Sequence, residues 1–219
     1  MAATVVCISR TDGSLGEFVG VAVASELGFR YVDHEVVARA AEKAQVDRAT
    51  IADAERRKSF VRRLFDSLPA PSLLGDMAAA LPGPLLASDP GESATANLDP
   101  RDVIRSVLDD LATEGRVVIV SHAASMALAG SPNVLRVLVT ASQPVRVARI
   151  SRGGKWLEPS AATAALRDAD RNRQDYFRRF YDIDREEPTH YDLVVMTDVL
   201  TPEQAATIVC AAARTAGSD

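Results

Sequence analysis

Five short apolar runs, each set off from the next by a span of helical character, constrain this chain more than any other feature. They are "TVVCIS", "FRYVD", "RVVIVS", "NVLRVLVTA" and "YDLVVMT". Strands that are apolar almost throughout are buried on both faces, and their alternation with helices is the pattern of a parallel sheet. The expected fold is α/β: a doubly wound, mostly parallel five-stranded sheet with helices on both faces. Ligands of such sheets bind beyond the carboxyl ends of the strands.

The helical spans are punctuated. Residues 17 to 27 place Phe18, Val21, Ala22 and Ser25 on one face, and Gly28 ends that helix. Helices are also expected over "HEVVARAAEKA" and "ATIADAERRKSFVRRLFDSL". Asp99 and Pro100 supply an N-cap and first residue for "RDVIRSVLDDLATE", which Gly115 closes. Helical patterns follow over "QPVRVARISR" and "SAATAALRDADRNRQDYFRRFY", and Thr201, Pro202 and Gln204 form a capping box for a last helix to about Arg214. Residues 69 to 98 hold five of the eleven prolines and no sustained period, so they read as a mobile excursion or lid within a single domain.

Composition narrows the function classes. The 219 residues carry a formal charge of −5, which argues against a dedicated nucleic-acid partner. No apolar run is long enough for a bilayer and the first residues lack a secretory pattern, so a cytoplasmic protein without membrane association is expected. Cys7 and Cys210 lie in apolar segments and read as reduced core thiols. Three scattered histidines do not suggest a zinc cluster.

The first strand leads into "TDGSLG" and then a helix. A phosphate loop needs glycines, because side chains would block the approach of backbone N–H groups to the anion, and it needs the favourable dipole of a helix N-terminus. This stretch meets both requirements but lacks the G-x-x-x-x-G-K-[ST] pattern; a tight turn with no ligand is the alternative. If a ligand binds, the N–H groups of residues 13 to 17 are expected to converge on an anion-sized space. The loop also lacks G-x-G-x-x-G, which sets a dinucleotide-binding oxidoreductase well behind.

"ISRTDGSLGEFVGVAVASELGFRYVDHEVVARAAEKA" resembles the opening of the cytidylate kinase-like family, which reads approximately I-S-R-x-x-G-S-G-G, a helix, then L-G-x-x-x-x-D. "VVIVSHAASMALAGSPNVLRVLVTASQPVRVARI" is similar to a later segment of that family. "LRDADRNRQDYFRRFYDIDREEPTHYDLVVMT" is similar to its end, where D-x-x-R-x-x-Y-x-x-x-x-Y precedes a Y-D-L strand closing on Thr. The resemblance implies a P-loop fold of the nucleoside-monophosphate kinase type, ATP as donor, Mg²⁺, and a CMP-like or other small acceptor. Such enzymes position two nucleotides and neutralise charge on the transferred phosphoryl group, so cations are the residues to seek.

Arg146, Arg149 and Arg152 share a helical side at i, i+3 and i+6, and Arg171 and Arg173 follow in "RDADRNR". The resemblance implies catalytic roles at the phosphates for Arg149, Arg152 and Arg171, and substrate contact for Arg173; a solvated basic face is the alternative. Around the loop, Arg10, Gly13, Ser14, Leu15, Gly16 and Glu17 are the cofactor-binding candidates, with Ser14 and Glu17 as candidate Mg²⁺ ligands. On the acceptor side, Asp33 either hydrogen-bonds a sugar or base amine or caps the following helix. Arg39 either takes the acceptor phosphate or pairs with Glu35 one turn earlier.

Two departures bear on catalysis. Gly16 stands where the loop lysine would be and Glu17 where the Mg²⁺-binding hydroxyl would be, and a carboxylate there competes with phosphate for the helix N-terminus or holds the metal. Ser121, His122 and Ala123 replace the Gly-Arg or Asp-Gly-Arg of related chains. Arg10 or Lys155 is then the candidate substitute charge. Two function classes stand: a slow Mg-ATP-dependent phosphotransferase, and a nucleotide-sensing or scaffold protein that keeps the fold without turnover, as a homodimer through residues 69 to 98.

Overall fold

The computed structural model describes residues 2–33, 100–121, 124–153 and 158–216. In chain order the described elements are β1 (Val5–Arg10), α1 (Gly16–Leu27), β2 (Arg30–Val32), α2 (Pro100–Glu114), β3 (Val117–Val120), α3 (Ala124–Ala127), β4 (Val134–Thr140), α4 (Gln143–Arg152), α5 (Pro159–Tyr181), a 3₁₀ turn (Pro188–His190), β5 (Leu193–Met196) and α6 (Pro202–Thr215). The five strands form one sheet in the order β2-β3-β1-β4-β5. Each neighbouring pair is parallel, with Cys7 opposite Ile119 on one side and Arg136 on the other. The α/β sheet expected from the apolar runs is thus observed. The two further helices and the excursion expected between residues 34 and 99 lie outside the described residues.

The strand alternation distributes β1 between two cores. Val6 and Ile8 enter one with Val19 and Val23 of α1 and Val209 and Cys210 of α6. Val5 and Cys7 enter the other with Val107, Leu108 and Leu111 of α2 and Ala124 and Leu128 from the α3 region. Helices therefore cover both faces, which is why β1 and β3 carry no polar alternation. Both cysteines are free and buried, and burial pushes the Cys7 thiol up to about 12. No described helix is long and apolar enough to cross a membrane.

α1 turns a different face inward from the one its large residues suggest. Its buried residues are Gly16, Val19, Gly20, Val23 and Ala24, while Phe18 and Val21 are 52% and 51% exposed. Small residues let the helix axis approach the sheet: a Cβ on Gly20 would lie 2.4 Å from a methyl of Val120 and 3.2 Å from the Tyr31 ring. Gly20→Ala is accordingly expected to destabilise the protein by about 1–3 kcal/mol. In an open helix the same change would gain about 1 kcal/mol. Urea unfolding decides the sign: a lowered midpoint at constant slope supports the close approach, and a raised midpoint refutes it.

Helix ends follow the local chemistry. The Thr201–Gln204 capping box forms in both directions, and Gly28 and Gly115 take positive φ after α1 and α2. The start of α1 differs. Its N-cap is Leu15 at φ 63°, with no side-chain cap.

Candidate phosphate-binding site

The loop between β1 and α1 lies at the carboxyl edge of the central strand, flanked by β3 and β4. Gly13 at φ 80° and Leu15 at φ 63° turn the chain into α1, and Ser14 N–H donates to the Thr11 carbonyl at 3.1 Å. A side chain on Gly13 would also meet the backbone of Arg146 at 3.2 Å, so only glycine fits there.

Every carbonyl from Arg10 to Leu15 accepts a hydrogen bond. Arg173 Nη1 donates to Arg10 O at 2.9 Å, Arg146 Nε to Asp12 O at 2.6 Å, Arg149 Nη1 to Gly13 O at 3.1 Å, and Thr197 Oγ1 to Ser14 O at 2.8 Å. Ser14 N–H takes Thr11 O, and Val19 N–H takes Leu15 O. The amides behave oppositely. Among the described residues, no acceptor is found for the N–H groups of Gly13, Leu15, Gly16 or Glu17, and the Ser14 hydroxyl is fully buried without a partner. Of the five N–H groups expected to face an anion, Ser14's is the exception, because it closes the turn.

The arginines therefore sort differently from their spacing. Arg146 is buried and bridges Asp12 O to a bidentate pair with Asp170 of α5, at 2.7 and 3.0 Å. Arg149, expected at the transferred phosphate, gives Nη1 to Gly13 O and to Thr197 Oγ1 and Nη2 to Thr197 O. It braces the loop from the carbonyl side. Arg152 is exposed in the last turn of α4. Arg171 is 73% exposed and lies 3.8 Å from Asp168, so it takes no part in bracing the loop.

Arg173, expected at the substrate, is instead 9% exposed and committed inward. It meets Glu186 with two 2.7 Å bonds, donates to Ser9 Oγ at 2.8 Å and lies 4.8 Å from the centre of the Phe177 ring. The Tyr191 hydroxyl donates to Glu186 and lies 3.3 Å from Ser9 Oγ. Burial acts against the Glu186 charge, but Arg173 and the Tyr191 hydroxyl outweigh it and hold the carboxyl below its ordinary 4.5. Asp192 is likewise held below 3.8: burial opposes its charge, and the Arg136 guanidinium overcomes that. Between the folded and unfolded pKa values the unfolded chain binds more protons. Stability from these carboxylates is therefore complete above about pH 4.5 and falls as pH drops through the folded values. Chemical denaturation from pH 6 to pH 3 is expected to show the midpoint falling below that point; a flat profile refutes it.

At the open side of the loop, Arg10 is 18% exposed, with Nη2 2.5 Å from Glu17 Oε1 and Nη1 3.4 Å from Asp12 Oδ1. The Tyr31 phenol of β2 is raised by burial first, then by Asp33 and Glu17, with Arg10 opposing, which places all four groups in one neighbourhood. Asp33 follows the last residue of β2 at the same carboxyl edge. Arg39, Lys155, His122 and Ala123 lie outside the described residues. Ser121 Oγ accepts from Ala124 N–H at 3.2 Å and so caps α3. Among the described residues, no three acidic, histidine or cysteine side chains gather for a metal. Glu17, a candidate Mg²⁺ ligand, is held by Arg10; Ser14 Oγ is the other candidate and is buried.

Spacing did not disclose the carbonyl braces. Their signal lay in the family pattern: the D and R of D-x-x-R fall on Asp170 and Arg173, and Y-D-L with its closing Thr falls on Tyr191 and Thr197. All four are in the bracing network.

Sheet order and loop together define the class: a doubly wound parallel α/β protein built around a glycine-rich βα loop, four of whose five amides from Gly13 to Glu17 have no acceptor among the described residues. Within that class the chain belongs to the cytidylate kinase-like family, whose model matches residues 5–199. No curated protein matches it. Among solved structures, an uncharacterized protein from Eubacterium ventriosum is similar at TM-score 0.61 and 14% identity, over 94% of each chain. A shikimate kinase from Bacteroides thetaiotaomicron is similar at TM-score 0.49 and 11% identity, over 94% of this chain and 95% of its own. The first of these likenesses shows a shared fold. The family makes the chain kinase-like.

Proposed function

We propose that this protein is a slow, Mg-ATP-dependent phosphotransferase acting on a CMP-like or other small acceptor. The observation that carries the reading is the polarity of the loop: its carbonyls from Arg10 to Leu15 are all occupied, while four of the five amides from Gly13 to Glu17 have no acceptor among the described residues. Unsatisfied amides beside an uncapped helix start are suited to a phosphate. Arg10 supplies positive charge beside them, exposed Arg171 and Arg152 are the cations for a transferred phosphate, and Asp33 with Arg39 serves the acceptor. Bound Mg²⁺ would neutralise charge on the nucleotide phosphates. Ser14 is its candidate ligand, and Glu17 joins only on leaving Arg10.

Without the loop lysine, the charge that strengthens its hold as the phosphoryl group moves is reduced, so turnover falls more than binding. The test is calorimetry with Mg-ATP and a nonhydrolysable analogue, beside a phosphotransfer assay on nucleoside monophosphates and small hydroxyl acceptors. Weak ATP binding with turnover below the roughly 1–100 s⁻¹ of kinases is expected. Turnover within that range refutes the slow reading, and no binding at millimolar ATP refutes the whole. Binding with no transfer to any acceptor points to the nucleotide-binding regulator.

A further inference from the structure

Arg10 leaves the end of β1 and its side chain crosses the start of α1. A Cβ on residue 16 would lie 2.5 Å from Arg10 Cβ, 3.0 Å from Cδ and 3.3 Å from Cγ. The absence of a side chain at 16, where a phosphate loop carries lysine, is what lets the arginine stem through. Its guanidinium then meets Glu17 at 2.5 Å and Asp12 at 3.4 Å, in the region of the open amides. In the same loop the buried Ser14 hydroxyl has no hydrogen-bond partner among the described residues, a second polar group left for a ligand.

We propose that Arg10 is the loop's phosphate-binding cation in place of the missing lysine, and that Glu17 is a built-in competitor whose carboxylate an incoming polyphosphate displaces. This rests on the phosphate-loop reading above and adds what controls access to it. Glu17 is 44% exposed, and an ion pair open to water on one side is held weakly. A polyphosphate brings more charge and several oxygens to the guanidinium's paired donors, so it wins the exchange. Displacing Glu17 lowers the apparent affinity by the fraction of molecules in which Arg10 is free.

The experiment uses the full chain and two probes, inorganic tripolyphosphate and ATP, each with and without Mg²⁺, against wild type, Glu17→Gln, Arg10→Met, Arg10→Lys and the double variant Arg10→Met/Glu17→Gln. Thermal melting selects a temperature at which every variant is folded; Arg10→Lys keeps the charge should Arg10→Met not fold. Glu17→Gln is expected to tighten both probes about 5- to 20-fold in the absence of Mg²⁺. Arg10→Met is expected to weaken them about tenfold or more, with Arg10→Lys between. In the Arg10→Met background, with no guanidinium left to release, Glu17→Gln should tighten the probes distinctly less.

Equal tightening in that background would show mere removal of negative charge and overturn the proposal. A Glu17→Gln protein that binds no tighter without metal, or that loses only Mg-ATP, overturns it as well and in the second case assigns Glu17 to the metal. Wild type that binds ATP with no dependence on either residue overturns this inference and leaves the phosphotransferase reading standing. No binding of either probe by any variant overturns both.

Discussion

Arg173→Met is expected to cost about 3–5 kcal/mol of stability, the largest loss among single substitutions at this site. The methionine fills much of the same volume, but it leaves the Glu186 carboxylate beside the Tyr191 hydroxyl with its two guanidinium bonds gone. It also removes the donors to Ser9 Oγ and to the Arg10 carbonyl. A carboxylate stranded in this setting takes up a proton, so the loss should shrink as pH falls, while Glu186 of the wild type gives up its own charge only below its ordinary 4.5. Arg173→Met/Glu186→Leu should recover much of the stability, because removing both charges removes the desolvation cost as well as the attraction. Urea unfolding of both variants against wild type at pH 7 and pH 4 makes the comparison. A single variant within about 1 kcal/mol of wild type would show that the pair contributes no more than an exposed one.

Arg149→Met is expected to lower ATP affinity by about tenfold or more, the second large effect, and to lower stability by about 1.5–3 kcal/mol through lost charge-assisted hydrogen bonds. The substitution removes the donor to Gly13 O and both bonds to Thr197, whose hydroxyl in turn holds Ser14 O. Peptide 13–14 would then be held only by Ser14 N–H on the Thr11 carbonyl, and peptide 14–15 only by a Thr197 hydroxyl that has lost its own support, so the Leu15 amide would be less firmly aimed at an anion. Arg171→Ala gives the contrast. With its side chain 73% exposed, its loss should change stability by less than about 0.5 kcal/mol, so any fall in phosphotransfer comes from the ligand. ATP titrations at a temperature well below each variant's midpoint separate the two. Unchanged affinity in Arg149→Met would show that the carbonyl braces do not orient the amides.

The glycine loop, the parallel sheet and most helix limits were legible because their signals are local. Thr201 and Gln204 are close enough in sequence to cap one another whatever the rest of the chain does, and Gly28 takes its positive φ for want of a Cβ. The direction of α1 was not legible. Phe18 and Val21 look like a buried face, and only the closeness of Val120 and Ile8 to Gly20 shows that the small-residue side goes in. The two helices expected between residues 34 and 68, and the Arg39 side of the acceptor site, fall outside the described residues.

The sequence alone determined that β1 would be buried on both faces and would end in a turn that presents a helix N-terminus, since apolar runs and glycines act over a few residues. Tertiary structure decided what each arginine does. Arg149 reaches a carbonyl 136 residues away and Arg173 one 163 residues away, and no helical spacing encodes which oxygens the folded sheet will bring within reach. A guanidinium binds a carbonyl or a phosphate with the same donors, so its role depends on which acceptor the fold places there first.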